Sequence, residues 1–265
     1  MSPINVIVNG ALGKMGQAMC AGLGKGPETA VVGGADIMAK SDRTLIPGMS
    51  GEIALAKSVD ELAGRVPAKV LVDFSTADAV LPAVRAAAQK GLSFVVGTTG
   101  LSDAAVKELE AIAVKHNVGG MAASNFALGG VLMMHLAQIA AKHADYAEII
   151  ELHHETKVDA PSGTSITTAR MMAKARGRPF ERNVPQKVAV PHTRDGHVEG
   201  VTIHSVRMPG KMAHQEVLFG MLGQTLSIKH DQINRDGFVP GVLLAVKHVA
   251  AHKGFIFGLD RLLGL

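Results

Sequence analysis

Short apolar runs alternate with helix-patterned stretches through the first half of the chain, and this alternation constrains the fold more than any other feature. The predicted strands are Ile4–Val8, Ala30–Val32, Lys69–Asp73, Ser93–Val96 and Val118–Ala122, and the predicted helices include 14–24, 77–90 and 102–116. Strands that alternate with helices favour a parallel sheet with helices on both faces. The first half is therefore predicted to be α/β.

The pattern changes after Phe126. In chain order the elements predicted there are helix 130–143, strand 146–153, helix 164–176, a short strand Lys187–Val190, strands 201–207, 215–221 and 225–230, and helix 239–252. The stretch 177–200 is rich in proline and arginine and is otherwise predicted to be irregular. Consecutive strands without helices between them favour an antiparallel or mixed sheet, so this part is predicted to be α+β.

Composition excludes several classes of protein. The 265 residues are 47% apolar and 19% charged, which is enough for a buried core, and the single cysteine, Cys20, excludes a disulfide framework or a cysteine-built zinc site. Aromatic residues are only 3%, and the net charge of +4 comes without a basic block, so nucleic acid is not an expected partner. Neither a signal peptide nor a membrane-spanning run is visible, so we expect a cytoplasmic protein.

A glycine-rich turn joins the first predicted strand to the first predicted helix. Its sequence is Gly10-Ala11-Leu12-Gly13-Lys14-Met15-Gly16, with Leu12 where the commoner dinucleotide fingerprint has its second glycine. Glycines there let the backbone approach a phosphate, and the helix N-terminus presents free N–H groups to a pyrophosphate. Such turns also serve close packing alone, so the motif by itself leaves both interpretations open.

An acidic residue follows the second predicted strand. Asp36 lies 20 residues after the last glycine of the turn, where a carboxylate can bind the ribose hydroxyls of an adenine dinucleotide, although a solvated turn aspartate is the alternative. A carboxylate there repels a 2′-phosphate, so NADH should serve at least as well as NADPH. Lys40 and Arg43 are close enough in sequence to accommodate that phosphate. Two loops, Phe74-Ser75-Thr76 and Gly97-Thr98-Thr99-Gly100, follow the next strands, whose C-terminal ends line the crevice of an open parallel sheet.

Two histidines and a lysine lie close together in sequence at the end of the strand predicted at 146–153. They are His153, His154 and Lys157, within the sequence ELHHETKVDAPSGT at 151–164. Three interpretations compete. A metal site would use His153, His154 and Glu155, but adjacent residues rarely point the same way and no H-E-x-x-H spacing occurs. A polar surface loop is the second. The third is a proton-transfer site, because histidine titrates near neutral pH and lysine supplies a charge and a proton.

The helix that follows this loop adds a place for an anion. Ser162 can cap it, and the N–H groups near Gly163 and Thr164 would then face outward at the helix start. Such a site suits a carboxylate.

Together these motifs make the chain similar to the bacterial dihydrodipicolinate reductases (4-hydroxy-tetrahydrodipicolinate reductases), almost from end to end. The resemblance is carried by Gly10–Gly16, Phe74-Ser75, Gly97–Gly100, Ala123–Phe126, Glu151–Thr164, His214–Gly220 and His230–Val246. The most specific element is H-H-x-x-K-x-D-A-P-S-G-T. One segment, Arg207–Ala213, diverges from the family pattern.

The resemblance implies a fold and a function. The fold is a Rossmann-type dinucleotide-binding domain (1–126 and 235–265) with an α+β substrate-binding and tetramerisation domain (127–234) built on a mixed four-stranded sheet. The function is reduction of 4-hydroxy-tetrahydrodipicolinate, via dihydrodipicolinate, to tetrahydrodipicolinate in diaminopimelate and lysine biosynthesis. NADH, NADPH or both serve as cofactor, and the protein is a cytoplasmic homotetramer.

The resemblance also implies roles for individual residues, and no metal. His153 is the catalytic proton donor or acceptor and Lys157 the second proton donor, while His154, Gly163 and Thr164 bind the dicarboxylate substrate. The implied cofactor-binding residues are Gly10, Ala11, Leu12, Gly13, Lys14, Met15, Gly16, Asp36, Phe74, Gly97, Thr98, Thr99, Ala123, Ser124, Asn125 and Phe126.

Three other functions remain open from the residues alone. A non-catalytic dinucleotide sensor would need the glycine turn and Asp36 but not the histidines and Lys157. A nucleic-acid-binding protein is suggested only by the basic charge. A related reductase acting on another imine or oxo acid is closer, because the loop indicates a carboxylate and proton transfer rather than a ring size.

Overall fold

The computed structural model describes residues 2–194 and 196–265, and the chain divides into two compact units. Unit 1 runs to Leu128 and resumes from Arg235 to Leu265, and unit 2 is Gly129–Asn234. Within the described ranges, every helix is too short or too polar to cross a bilayer.

Strands and helices alternate through most of unit 1, whereas the second half of unit 2 is a run of strands. The strands are β1 (Ile4–Asn9), β2 (Thr29–Ala35), β3 (Arg43–Thr44), β4 (Ile53–Ala56), β5 (Val70–Asp73), β6 (Ser93–Val96), β7 (Gly119–Ala122), β8 (Tyr146–His153), β9 (His197–Val198), β10 (Val201–Arg207), β11 (Ala213–Met221), β12 (Gln224–Gln232) and β13 (Gly254–Phe257). The helices are α1 (Lys14–Lys25), α2 (Val59–Ala63), α3 (Ala77–Gln89), α4 (Asp103–His116), α5 (Leu128–Ala141), α6 (Gly163–Arg176), α7 (Val239–Ala251) and α8 (Leu259–Leu263), with a 3₁₀ turn at Arg235–Phe238.

Unit 1 is built on an eight-stranded sheet in the order β13-β7-β6-β5-β1-β2-β4-β3. The pairings are parallel, except that β3 runs antiparallel to β4. The Rossmann-like α/β class predicted from the sequence is confirmed. Since β1 lies between β2 and β5, the strand order reverses there, and a ligand crevice forms at the C-terminal ends of the strands at such a point.

Helices cover this sheet, so the middle residues of its central strands are apolar and polar residues stand mainly near the strand ends. Val6, Ile7 and Val8 of β1 are fully buried, as is Phe94 of β6. The C-terminal helix α7 packs against β6 and β7. The apolar core therefore fixes the strand ends that form the crevice.

Unit 2 is built on a mixed sheet in the order β12-β11-β8-β10-β9. β8 and β10 are parallel, whereas β11 pairs antiparallel with both β8 and β12. Side chains from α5 and α6 join Ile149 of β8 and Phe219 of β11 in one buried core. The mixed sheet agrees with the prediction, and the two-residue β9 adds a fifth strand to the four expected.

The predicted strand Lys187–Val190 is wrong. These residues form no strand, and Val188 and Val190 are exposed, so the alternating pattern has no apolar surface to cover. The strand of this region is instead β9, which pairs antiparallel with the start of β10. Five further elements were not predicted, and all are five residues long or shorter: β3, β4, α2, β13 and α8.

Candidate active site

The glycine-rich turn lies between β1 and α1, and packing alone requires two of its glycines. Gly10 has φ +76°, and a Cβ there would lie 2.6 Å from the carbonyl oxygen of Phe74. A Cβ on Gly16 would lie 2.0 Å from the carbonyl oxygen of Gly10, whereas one on Gly13 would meet that oxygen at 3.3 Å. Gly10 and Gly16 are therefore explained without a ligand, and Gly13 is the exposed residue where α1 begins.

Asp36 holds this turn in place. The backbone N–H of Leu12 donates to Asp36 Oδ2 at 3.0 Å, and the N–H of Met38 donates to Oδ1 at 2.9 Å. A carboxylate can accept about four hydrogen bonds, so both oxygens can still accept from ribose hydroxyls. Asp36 is thus an organising part of the crevice rather than a solvated turn residue.

A cleft of about 520 Å³ opens beside the turn in unit 1. Its polar lining includes Gly10, Gly13, Asp36 and Lys57, and its apolar wall comprises Val59, Ala79, Pro82, Ala83 and Ala86. An apolar wall beside a carboxylate fits an adenosine, whose base is flat and whose ribose carries hydroxyls. Of the two basic residues expected near a 2′-phosphate, neither lines the cleft, and Arg43 pairs with Glu52. The lysine that lines the cleft is Lys57.

A second cavity in unit 1, of about 240 Å³, lies at the C-terminal ends of β5, β6 and β7. It is lined by Met15, Phe74, Ser75, Gly97, Thr98, Thr99, Ser124, Asn125, Phe126 and Phe238. Phe74 and Ser75 line the cleft as well, so the two spaces adjoin. The structure therefore brings together the loops expected to bind the cofactor.

Five of the expected cofactor residues line neither space: Ala11, Leu12, Lys14, Gly16 and Ala123. Ala11, Gly16 and Ala123 are buried beneath the turn and the strand ends, Leu12 is half-buried, and Lys14 is exposed at the first position of α1. Phe238 was not predicted, because it reaches the cavity from the end of the chain far from the glycine turn.

A buried carboxylate that the sequence analysis did not select organises this cavity. Asp73 is fully buried at the end of β5, and its Oδ1 accepts from Thr98 Oγ1 at 2.6 Å and from Ser75 N and Oγ at 3.1 and 2.9 Å. Its Oδ2 accepts from Asn9 Nδ2 at 2.7 Å. Asp73 thereby ties the ends of β1, β5 and β6 together. The signal that could have found it is an acidic residue closing an otherwise apolar strand.

In unit 2, β8 presents His153 beside a second buried carboxylate. His153 and Glu151 are two residues apart on a strand, so their side chains lie on the same face. Glu151 is fully buried, and its Oε2 lies 2.5 Å from His153 Nδ1. Burial by itself raises the pKa of Glu151, but hydrogen bonds from His153, Arg207 and Ser205 outweigh that effect and lower it to about 2.

Arg207 closes the other side of Glu151. It is the last residue of β10, directly opposite His153 of β8. Its Nη1 and Nη2 donate to the two oxygens of Glu151 at 2.9 and 2.8 Å, and Nη2 also donates to the carbonyl oxygen of Asp159 at 2.7 Å. Its local sequence gives no sign of this role, and Arg207 stands out there only as the start of a segment that diverges from the family pattern.

The loop after β8 carries the remaining predicted residues. Lys157 Nζ donates to Asp159 Oδ1 at 2.5 Å, and this hydrogen bond lowers the pKa of Asp159. His154 Nδ1 lies 2.7 Å from the hydroxyl of Thr156. Lys157 is one-fifth exposed, so its ammonium is both held and reachable.

The start of α6 lies next to this loop. Ser162 caps the helix by accepting from Ser165 N, and its own N–H donates to Glu151 Oε1 at 3.3 Å. Gly163 is exposed, and a Cβ there would meet nothing within 4 Å, so an anion can approach its backbone. Thr164 is half-buried beside it.

The arrangement in unit 2 suits proton transfer next to an anion. An ionised Glu151 can only accept, so His153 Nδ1 carries the proton and Nε2 is the nitrogen left to exchange one. Across residues 2–194 and 196–265, no three His, Cys, Asp or Glu side chains cluster closely enough to hold a metal ion.

A dinucleotide crevice on a parallel sheet, in a chain that also holds proton-donating side chains near an anion site, is typical of oxidoreductases that use NAD or NADP. The family model described as "Dihydrodipicolinate reductase, N-terminus" matches residues 4–126, and the one described as "Dihydrodipicolinate reductase, C-terminus" matches residues 129–263. The chain belongs to the dihydrodipicolinate reductase family.

Curated relatives agree over the full length. The 4-hydroxy-tetrahydrodipicolinate reductase of Dehalococcoides mccartyi (strain CBDB1) is 44% identical over 265 residues, which covers all of both chains. That of Moorella thermoacetica is 42% identical over 267 residues, with 99% of each chain covered.

Solved structures agree as well. The dipicolinate-bound dihydrodipicolinate reductase from Paenisporosarcina sp. TG-14 superposes with a TM-score of 0.85 at 33% identity, covering 98% of this chain and 99% of that one. An amine dehydrogenase from Mycobacterium smegmatis shares the fold alone, with a TM-score of 0.67 at 14% identity over 98% of this chain and 96% of that one.

Proposed function

We propose that this chain uses NADH or NADPH to reduce 4-hydroxy-tetrahydrodipicolinate, through dihydrodipicolinate, to tetrahydrodipicolinate in diaminopimelate and lysine biosynthesis. The observation that carries this proposal is the end-to-end similarity to reductases of that name. The substrate is a small cyclic dicarboxylate, and the dipicolinate bound by the related structure is a dicarboxylate too. The reaction takes place in the cytoplasm.

The dinucleotide binds to residues 1–126 and 235–265. Asp36 accepts from the ribose hydroxyls of the adenosine half, and the backbone N–H groups at the start of α1 face the pyrophosphate. The nicotinamide half binds in the cavity lined by Phe74, Thr98 and Asn125. When bound, the reduced nicotinamide supplies the hydride.

The substrate binds to residues 127–234. The N–H groups of Gly163 and Thr164, at the positive end of α6, bind one carboxylate, and His154 contacts the substrate beside them. Loss of water from the hydroxylated substrate gives the unsaturated imine, and addition of one hydride and one proton completes the reduction. His153 Nε2 and Lys157 Nζ are the groups placed to supply and exchange protons.

The protein acts as a homotetramer assembled through unit 2. Support comes from apolar side chains that this unit leaves exposed: Leu132, Leu136, Ile139, Tyr146, Leu222 and Leu226. Exposed apolar groups of this size are typical of interaction surfaces. Light scattering after size exclusion should give four times the chain mass, and a monomer would contradict this assembly.

The first test is oxidation of NADH and NADPH with substrate generated freshly by dihydrodipicolinate synthase. Turnover with either cofactor supports the reductase, and dipicolinate should inhibit it competitively. Folded protein that binds a dinucleotide but turns over neither would leave the cofactor role intact and make the substrate wrong.

The roles of His153 and Lys157 are tested separately. We expect His153→Ala to lower kcat by about 10²–10⁴-fold, the usual contribution of a general acid or base, with little change in cofactor affinity. Lys157→Ala should raise the KM for substrate as well as lower kcat, because its ammonium also attracts the dicarboxylate. Unchanged turnover in the first variant, or an effect confined to cofactor affinity in the second, would contradict these roles.

A further inference from the structure

Glu151 is buried where a carboxylate is costly, and it is held by groups from three segments. His153 lies on the same strand, Arg207 comes from β10, and the N–H of Ser162 comes from the start of α6. Moving a carboxylate out of water costs several kcal/mol, and a buried ion pair often adds little net stability over an apolar pair. The role of Glu151 is therefore better inferred from the geometry of its contacts than from any contribution to stability.

Arg207 connects indirectly to both proposed proton-transfer residues, His153 and Lys157. Both of its terminal nitrogens bind Glu151, and the same carboxylate also contacts the imidazole of His153. One of these nitrogens also binds the carbonyl oxygen of Asp159, whose carboxylate binds Lys157. A displacement of Arg207 would therefore move both residues together.

We infer that Glu151 and Arg207 are positioning residues for proton transfer: Glu151 fixes the ring of His153 through Nδ1, and Arg207 fixes both Glu151 and the loop that carries Lys157. This inference rests on the proposed function, because it takes His153 and Lys157 to be the proton-transfer groups. In this inference, Glu151 and Arg207 act through His153 and Lys157 and do not contact the substrate.

The charge of Arg207 determines which of the two partners, Glu151 or His153, keeps the shared proton. Beside this guanidinium the Glu151 carboxylate stays ionised and accepts hydrogen bonds only, so it does not take the proton of His153 Nδ1. The tautomer of a neutral His153 is thereby fixed with Nε2 free of its proton. Asp159 and Lys157 are the other charged groups of this cluster, and Gln215, Ser162 and Ser165 are its neutral polar neighbours on β11 and α6.

The central test replaces the carboxylate with the isosteric amide, Glu151→Gln. We expect kcat to fall about 10²-fold or more, with the affinity for NADH unchanged, because the amide can donate to Nδ1 and favour the wrong tautomer. Nitrogen-15 NMR of His153 should report the Nδ1–H tautomer in the wild type and a shift toward Nε2–H in the variant. A merely structural role would not change the tautomer.

The same strand offers a matched control. Glu148 also contacts a histidine, His204 at 2.7 Å, and an arginine, Arg194 at 2.6 Å. It is three residues from Glu151 and therefore on the opposite face of β8. Glu148→Gln should leave kcat within threefold of the wild type.

Two further variants keep the test decisive if Glu151→Gln is unstable. The double variant Glu151→Gln, Arg207→Gln removes the buried carboxylate together with the partly exposed guanidinium that pairs with it, so it should fold, yet its kcat should stay low by about 10²-fold. Arg207→Lys keeps the charge but loses the planar two-nitrogen contact that joins Glu151 to the Asp159 carbonyl, so it should raise the KM for substrate as well as lower kcat.

The inference is overturned if the folded double variant turns over like the wild type, if Glu148→Gln loses as much activity as Glu151→Gln, or if the His153 tautomer stays the same. These outcomes differ from failure of the proposed function, in which the wild type itself does not reduce the substrate.

Discussion

Asp73 is fully buried, and its carboxylate accepts hydrogen bonds from the ends of two other strands as well as from Ser75, two residues further along the chain. Each partner is a neutral donor, so the burial of this carboxyl group is compensated by hydrogen bonds alone. Glu151 of unit 2 is also fully buried but has a guanidinium beside it. One carboxylate thus shapes the cavity proposed for the nicotinamide, and the other lies in the proposed proton-transfer site.

The first prediction concerns Asp73→Asn. The amide presents one acceptor and two donors, so it leaves buried hydroxyl and amide donors around it unpaired, at about 1–3 kcal/mol each. We expect the Kd for NADH to rise about tenfold or more and Tm to fall, measured by fluorescence titration and calorimetry. Asp103→Asn, on an exposed position of α4, is the control, and equal behaviour of the two variants would contradict the role.

The second prediction concerns cofactor choice. Lys57 lines the cleft together with Asp36, so it can offset the repulsion between that carboxylate and a 2′-phosphate. We expect Lys57→Ala to weaken NADPH binding about three- to fivefold, as for an exposed ion pair, and to leave NADH binding within twofold. Calorimetric titration with both cofactors measures this, and parallel changes in the two affinities would disprove it.

Among strands and helices, those whose formation depends on the local pattern of apolar residues can be predicted from the sequence. The alternation of strands and helices in unit 1 and the strands that form the mixed sheet of unit 2 were predicted, because apolar periodicity reports burial. The short apolar run Lys187–Val190 also looks like a strand in the sequence, but it has neither a partner strand nor an apolar core to pack against. β13 is only four residues long and pairs with β7, far away in sequence, so nothing local indicates it.

The same limit applies to the site. The loop after β8 could be selected from the sequence, because its histidines, lysine and helix cap are contiguous; the roles of these residues stay predictions. The contacts of Asp73, Arg207 and Phe238 are not contiguous: Arg207 meets Glu151 only because β10 pairs with β8. A buried ion pair between distant strands leaves no periodic signal in one sequence.

The third prediction compares two glycines that begin or lie within helices. A Cβ on Gly16 would lie 2.0 Å from a backbone oxygen, so Gly16→Ala should lower stability by several kcal/mol and Tm by about 10 °C or more. Gly163→Ala meets open space and should keep Tm or raise it slightly, while raising the KM for substrate if a carboxylate approaches that backbone. Thermal unfolding and steady-state kinetics check both, and similar destabilisation by the two changes would be inconsistent with this packing.

For the whole molecule, the buried pair makes stability depend on pH in a defined direction. The pKa of Glu151 is lowered from 4.5 to about 2, so the folded state binds fewer protons than the unfolded state between these values. This contribution is fully present above about pH 4.5, is lost as the pH falls toward 2, and amounts to about 3 kcal/mol at most.

The fourth prediction follows from that sign. Urea unfolding at pH 7 and pH 3 should show a larger loss of stability for the wild type than for Glu151→Gln, whose neutral amide does not titrate. At pH 7 the variant should be the less stable of the two. Equal losses on acidification would mean that Glu151 is not the titrating group.

The chain enters unit 1, leaves it for the whole of unit 2, and returns for the last 31 residues, 235–265. Because synthesis proceeds from the N-terminus, α7 and β13 leave the ribosome after unit 2 is complete. Until then β7 is an open edge and the surface of β6 and β7 that α7 covers is exposed. The nascent dinucleotide unit therefore keeps an apolar surface and a strand edge uncovered until residues 235–265 are made, whereas unit 2 has its full sequence available earlier.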